Sequence, residues 1–332
     1  MNLKYIRKRM AVLGLSAVLT MTGLTGCGNQ TKLVFTTGLS GNQVFKIGTE
    51  TCTMPEIMIY LTTFYNQYAE IYGKEMWNYD FGGVSLEEHV KDEVLSKLAQ
   101  IKIMNLMAEE RGITLSEEEE QRVSKAAEVY YETLSEELKK QEDITKEIVQ
   151  KVYEEYAAAN KVYANITEAA DMEISDDEAR TVTVQKIYFQ NEDRGKQILE
   201  RIQSGEAFEA IAAEVSEDKQ LVQSYARGTV ETAFEEVLFS MDAGEISDVI
   251  KTSDGFYIVK CISTIDYEAT QENKLVLADK RKKEAFSQAY TEIAKNTHSQ
   301  FRDKQWEKLT LREEIYETEA NFFEIYEEYV KQ

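Results

Sequence analysis

The apolar spacing of this chain changes period after Ser175 and changes back near Glu268, so the fold must hold a β-containing unit between two helical stretches. In the first stretch Ile57, Leu61, Phe64, Tyr65 and Tyr68 share one face of a helix running to about Tyr72. Thr53 is placed to cap it, and Pro55, the only proline, falls in its first turn, where a missing N–H costs nothing. Ser85 with Glu88 forms a capping box ahead of Leu86, Val90, Val94, Leu98 and Ile101, and Gly112 ends that helix. Ser116 with Glu119 opens the next, to about Lys139, and Thr145 opens another through Val149, Val152, Tyr153, Tyr156 and Val162. The acidic run Glu117 to Glu120 lies in a first helical turn, where it complements the macrodipole and faces water.

After Ser175, which with Glu178 forms a third capping box, residues 181–189 are β-rich. Amphipathic helices follow at 195–205 and 208–218, then a loop to Tyr225, a short helix at 233–239, and a hairpin through Gly244 and Gly255 to Lys260. The expected fold class is therefore α+β: a mostly helical domain split into N- and C-terminal parts, with a β-α-α-α-β-β unit inserted. The boundaries read from the pattern are 43–178 for the helical part, 179–267 for the insert, and 268–332 for helices returning to the first part. Residues 43–53 alternate as a short strand pair, and 28–42 are a Gly/Thr/Ser/Asn-rich stretch suited to a tether. Tyr60, Tyr65, Tyr68, Tyr72, Tyr130, Tyr131, Tyr153 and Tyr156 suit an adaptable amphipathic surface for apolar clients, or the core and boundary of the helical domain.

Residues 1–26 read as a secretory signal, with Lys4, Arg7, Lys8 and Arg9 ahead of a short apolar segment. Its end, Leu24-Thr25-Gly26-Cys27, resembles a bacterial lipobox, which implies cleavage, acylation of Cys27, and a mature chain held by lipid at the outer face of the cell membrane. Cleavage would take the formal charge from −22 to −26, because the segment carries four positive residues and no negative one. So acidic a chain repels phosphates, which excludes a nucleic-acid role. His89 and His298 are the only histidines, both in helical patterns, and Cys52 and Cys261 do not make a disulfide framework. No metal constellation, phosphate loop or cofactor motif is present in the sequence.

Residues 228–260 resemble the parvulin family without a gap, through Gly228, Phe234, Phe239, Gly244, Glu245, Ile246, Ser247, Ile250, Thr252, Gly255, Phe256, Ile258, Val259 and Lys260. Upstream, Gly205, Phe208, Ala212, Ser216, Glu217 and Asp218 fit the same pattern. With the lipobox and the split helical domain, the whole chain is similar to PrsA-type foldase lipoproteins, relatives of the SurA-type chaperones. The resemblance implies a protein-folding factor of the peptidyl-prolyl isomerase class. Its partners would be unfolded or newly secreted polypeptides, and pairing of two copies stays open.

The chain also departs from that family. Lys186 and Tyr257 stand where the family has histidines, Leu221 falls near its acid or cysteine position, and Val230 replaces the pocket methionine. No catalytic residue is assigned. Val230, Phe234 and Phe239 are the expected substrate-binding residues, and Tyr257 is placed to donate a hydrogen bond. Isomerisation breaks no bond, and a site accelerates it by binding the twisted imide better than the planar one. An isomerase, a chaperone with an inactive parvulin-like domain, and a structural lipoprotein are the readings the sequence leaves.

Overall fold

The computed structural model describes residues 33–35, 39, 41–73, 77, 83–169, 173–302, 306–307, 309 and 321–331. The signal segment and Cys27 lie outside the described residues. The chain divides into two compact units, residues 1–169 with 285–332, and residues 170–284.

The first unit opens with strands β1 (Leu33–Phe35), β2 (Gln43–Ile47) and β3 (Glu50–Thr53). Sequence reading anticipated only the β2–β3 hairpin. The sheet has a fourth strand, β8 (Ser299–Phe301), in the order β1-β8-β2-β3. β1 lies in the span read as a tether and pairs with β8 in parallel. A three-residue strand carries too little periodicity to be read from sequence.

Helix α1 (Met54–Tyr72) starts at the cap the sequence implies. The Thr53 N–H donates to Glu56 Oε2 at 2.5 Å. Helix α2 (Leu86–Arg111) begins at the Ser85/Glu88 box and stops at Gly112, whose φ of +64° closes the turn in the left-handed region. Helix α3 (Glu117–Thr133) begins at the Ser116/Glu119 box. It stops earlier than the pattern suggests, because Leu134 turns into the core and the Ser135 hydroxyl accepts the Leu138 N–H at 3.1 Å. That new cap starts the short α4 (Glu136–Gln141), and α5 (Lys146–Glu168) follows from Thr145.

Of the two readings of the tyrosines, client surface or core and boundary, their burial supports the second. Tyr60, Tyr65, Tyr130, Tyr153 and Tyr156 are core residues, and of the eight only Tyr72 is largely exposed. The rings of Tyr60, Tyr130, Tyr153 and Tyr156 are covered by α10 (Phe322–Tyr329), whose Phe322 is fully buried among them, while Tyr65 stacks on Trp77 at 4.6 Å. The Tyr153 hydroxyl donates to the Phe322 carbonyl at 2.9 Å.

The same core holds charge. Lys102 is fully buried; its Nζ donates to Glu155 at 2.7 Å and to Glu56 Oε1 at 3.2 Å, while Lys151 reaches Glu56 Oε1 at 2.7 Å. Lys97, on the same helix, is 4% exposed, with its ammonium 5.5 Å from the Phe323 ring centroid. Burial pulls its pKa down to about 7, against a smaller upward pull from Glu93. Above that value the unfolded chain binds more protons than the folded one, so this group makes stability rise with pH up to its ordinary value near 10.4. Lys97→Met should therefore remove a slope worth about 2 kcal/mol between pH 7 and pH 9. Urea melts of both chains across that range read it directly; parallel slopes would show that Lys97 is not the source.

The second unit is a sheet in the order β5-β4-β7-β6, antiparallel throughout. Its elements run β4 (Thr181–Phe189), α6 (Glu192–Gln203), α7 (Phe208–Val215), β5 (Val222–Ala226), α8 (Thr232–Ser240), β6 (Ile250–Lys251) and β7 (Phe256–Ser263). Strand β5 refines the expected order, since residues 222–226 were read as loop. Helix α9 (Tyr267–Asn296) follows. The Ser175 hydroxyl does accept the Glu178 N–H at 3.0 Å, but the segment makes one turn and no helix, because β4 begins three residues later.

Alternation along β4 divides the unit. Ile187 and Phe189 face α6 and α7, packing on Ile198, Phe208 and Ile211. Val182 and Val184 face the other way, with Tyr225, Val259 and Cys261, and α8 covers them through Phe234 and Leu238. Cys52 and Cys261 are buried free thiols.

Candidate functional site

Strand period places Lys186 between Val184 and Tyr188, on the face of the sheet that α8 covers. The register then sets Tyr188 beside Tyr257 on β7. Lys186 and Tyr257, singled out from sequence, therefore share one face. Leu221 does not join them. Its carbonyl accepts the Lys186 N–H at 2.7 Å, but its side chain packs with the Ile187 cluster on the opposite face. The assignment of Leu221 to the site floor is corrected accordingly, and Gln223 and Asp218 take its place.

Lys186 is 5% exposed, yet it is neither stranded nor reaching out to water. Its Nζ lies 2.7 Å from Asp218 Oδ2 and donates to Gln223 Oε1 at 2.8 Å. Gln223 Oε1 also accepts the Tyr225 hydroxyl at 3.1 Å, and the Tyr225 ring lies 5.9 Å from the ammonium. Burial alone would lower the Lys186 pKa; the Asp218 carboxylate and the nearby Tyr225 side chain outweigh that, and the net shift is upward. The bond from Lys186 is the main reason the Asp218 carboxyl is held below its usual range, with the Gln220 N–H adding to it.

Tyr257 anchors the other end. Its ring lies 4.8 Å from Phe234 and 4.9 Å from Tyr188. Its hydroxyl donates to Asp254 Oδ2 at 2.8 Å, in the turn between β6 and β7. Burial, then the Asp254 carboxylate, pushes its pKa up, so Tyr257 stays a neutral donor near neutral pH. The turn is fixed by Thr252, which donates to Asp254 Oδ1 at 2.6 Å, and by Gly255, where an added Cβ would sit 2.7 Å from the Tyr188 ring.

The three expected apolar residues separate. Phe234 is buried against the sheet, edge-on to Tyr225 at 5.4 Å. Val230 and Phe239 instead line an open cavity with Arg227, Gly228 and Glu235. Phe239 lies between two guanidinium groups, Arg227 at 4.6 Å and Arg180 at 5.1 Å, and its carbonyl accepts from Arg180 at 3.0 Å. Sequence reading missed Asp218, Gln223, Tyr225 and Asp254 as partners in this floor. The available signal was alternation: Gln223 and Tyr225 are two apart, as strand neighbours on one face must be. Among the described residues no group of three or more His, Cys, Asp or Glu side chains is placed to hold a metal ion.

The fold and this face define a parvulin-type domain: residues 189–263 match the family model of the PPIC-type PPIASE domain. The chain as a whole is homologous to the PrsA foldases. It is 24% identical over 311 residues to Foldase protein PrsA of Caldanaerobacter subterraneus subsp. tengcongensis, covering 87% of this chain and 94% of that one. It is 30% identical over 120 residues to Foldase protein PrsA 3 of Bacillus cereus, covering 34% and 41%. The crystal structure of peptidylprolyl isomerase (PrsA) from Bacillus cereus covers 87% of this chain and 99% of its own, at 17% identity and a TM-score of 0.39. The chain is thus a PrsA-type homologue with a parvulin-type domain, and a protein-folding factor.

Proposed function

We propose that this folding factor is anchored by a lipid on Cys27 at the extracytoplasmic face of the cell membrane. There it binds unfolded, newly exported chains, and its parvulin-like domain binds more than it catalyses. The signal segment and lipobox-like end of the sequence support the location. Among the described residues no helix is long and apolar enough to cross a membrane.

One observation carries the binding reading: the polar groups of the site are already bonded to one another. Lys186 is engaged by Asp218 and Gln223, and the Tyr257 hydroxyl by Asp254. A donor gains nothing for a twisted imide unless it first gives up a bond of similar strength. Phe234, the ring best placed to receive a proline, is covered by Tyr225 and Tyr257.

The second reading is an active isomerase, favoured by the open cavity at Val230 and Phe239. A third, a structural lipoprotein with a parvulin-like spacer, predicts neither binding nor rate enhancement. Refolding of a proline-limited client, followed for both yield and slow-phase rate, separates the three. The binding reading expects higher yield at an unchanged slow rate.

A further inference from the structure

We infer that the open edge of β5 takes up an extended stretch of neutral or basic client polypeptide as an added strand. This rests on the reading that the chain binds unfolded polypeptide, and it names where and in what form.

The second sheet has two edges, and they differ. The β6 edge is two residues long and carries Lys251, both of which discourage strand addition. The β5 edge is five residues, VQSYA, with no charge and no proline, and its pairing with β4 shows no register shift. It carries none of the usual protections against pairing with another chain.

The ladder fixes which groups are offered. The Lys186 N–H bonds the Leu221 carbonyl and the Arg227 N–H bonds the Arg180 carbonyl. Residues 221, 223, 225 and 227 therefore point their backbone groups at β4, and 222 and 224 point theirs outward. Val222 is 49% exposed and Ser224 is exposed, so neither outward pair is covered. On the site face the added strand would lie beside Gln223 and Tyr225, the outer members of the Lys186 floor. An extended peptide is recognised in this way by main-chain bonds, with side-chain preference set by the neighbouring strand.

A second copy of the chain would present the same edge. At a formal charge of −22, two copies repel each other, whereas a neutral or basic segment is not repelled. Net charge thus favours a neutral or basic client segment over a second copy at this edge.

The test uses the full mature chain and a fluorescent ten-residue peptide of alternating valine and threonine with terminal lysines. Anisotropy reads binding, and amide exchange reads protection at Val222 and Ser224. Ser224→Pro deletes an outward N–H and leaves every bond to β4 in place. It should weaken binding about tenfold, whereas Ser224→Ala, which loses only the hydroxyl contacts to Thr183 and Asp266, should change it less than twofold. Val222→Lys places a charge on the edge without touching the backbone and serves if the proline variant fails to fold; it too should weaken binding several-fold. Peptide N-methylated on one edge should bind no better than the proline variant. Equal binding by wild type and both edge variants overturns the inference. So does a concentration-dependent dimer, lost on Ser224→Pro, with no peptide bound. A chain that prevents aggregation of reduced insulin but ignores the peptide overturns the edge and leaves the folding-factor reading standing. A chain that does neither overturns both.

Discussion

Phe322→Ala is expected to lower the stability of the helical unit by about 3–5 kcal/mol, the range for emptying a buried aromatic site. The ring is fully buried, with centroids 4.1 Å from Tyr153, 5.0 Å from Tyr60, 5.5 Å from Tyr156 and 5.7 Å from Tyr130. These neighbours come from α1, α3 and α5, so Phe322 joins the end of the chain to helices more than 150 residues earlier. Two of these neighbours are pinned by hydrogen bonds, Tyr130 by its contact with Thr63 at 3.3 Å and Tyr153 by the Phe322 carbonyl, and rings so held collapse poorly into a cavity. Phe322→Leu, which keeps most of the volume, should cost less than about 1.5 kcal/mol. Urea denaturation of the three chains gives the comparison. A loss under about 1 kcal/mol for the alanine variant would mean α10 contributes little to the core.

Lys102→Met should cost about 3–5 kcal/mol although methionine packs well, because it removes the buried cation between Glu56 and Glu155 and leaves them only the half-exposed Lys151, 2.7 Å from Glu56 and 3.5 Å from Glu155. The two carboxylates are not equivalent. Burial raises both, but Lys102, Lys151 and the Thr53 N–H together carry Glu56 below its usual value, while burial prevails at Glu155 and its pKa lies above. Glu56 thus joins the cap of α1 to the ion cluster in the core, and losing Lys102 should loosen the start of that helix as well. Replacing the cluster as a set, Lys102→Met with Glu155→Met and Glu56→Gln, should recover most of the loss, since buried ion pairs add little over apolar packing. If the triple variant is as unstable as the single one, the cluster stabilises the unit by more than mutual neutralisation. A melt of the wild type, the single variant and the triple variant at one pH decides between these.

What the sequence made legible was whatever rests on local rules. Ser85/Glu88 and Ser116/Glu119 mark their helix starts because a cap is satisfied within four residues. Ser175/Glu178 obeys the same rule and gives only a turn, since the strand that follows is held from elsewhere: the Thr181 N–H bonds Thr270 Oγ1, 89 residues on. Strands β5 and β8 were missed because their partners, not their composition, make them strands. The tyrosines stayed open between surface and core because a tyrosine looks the same in sequence whether its ring is covered or wet. Phe322 and Phe323 cover Tyr60 and Tyr156 from far along the chain, and Trp77 covers Tyr65.

The site was half legible. Family resemblance placed Lys186, Tyr257 and Phe234, and the structure sets all three on one face. It did not show that Lys186 would be neutralised by Asp218 or that Tyr257 would turn to Asp254. Those partners lie 32 and 3 residues away and become evident only when the strands are in register. Leu221 was placed by counting along a loop, and one residue of phase in a strand moves a side chain to the other face.

On our proposal this parvulin-like face binds without accelerating isomerisation, because its donors are occupied. The direct measurement is the slow-phase refolding rate of a proline-limited client at substoichiometric amounts of the mature chain, beside Val230→Ala/Phe234→Ala. The expected slow phase lies within about twofold of the unassisted rate, which is itself set by a barrier of about 20 kcal/mol, together with a raised refolded yield. A slow phase accelerated tenfold or more by the wild type and not by the double variant would contradict it, and would make Tyr257, freed from Asp254, the donor to examine.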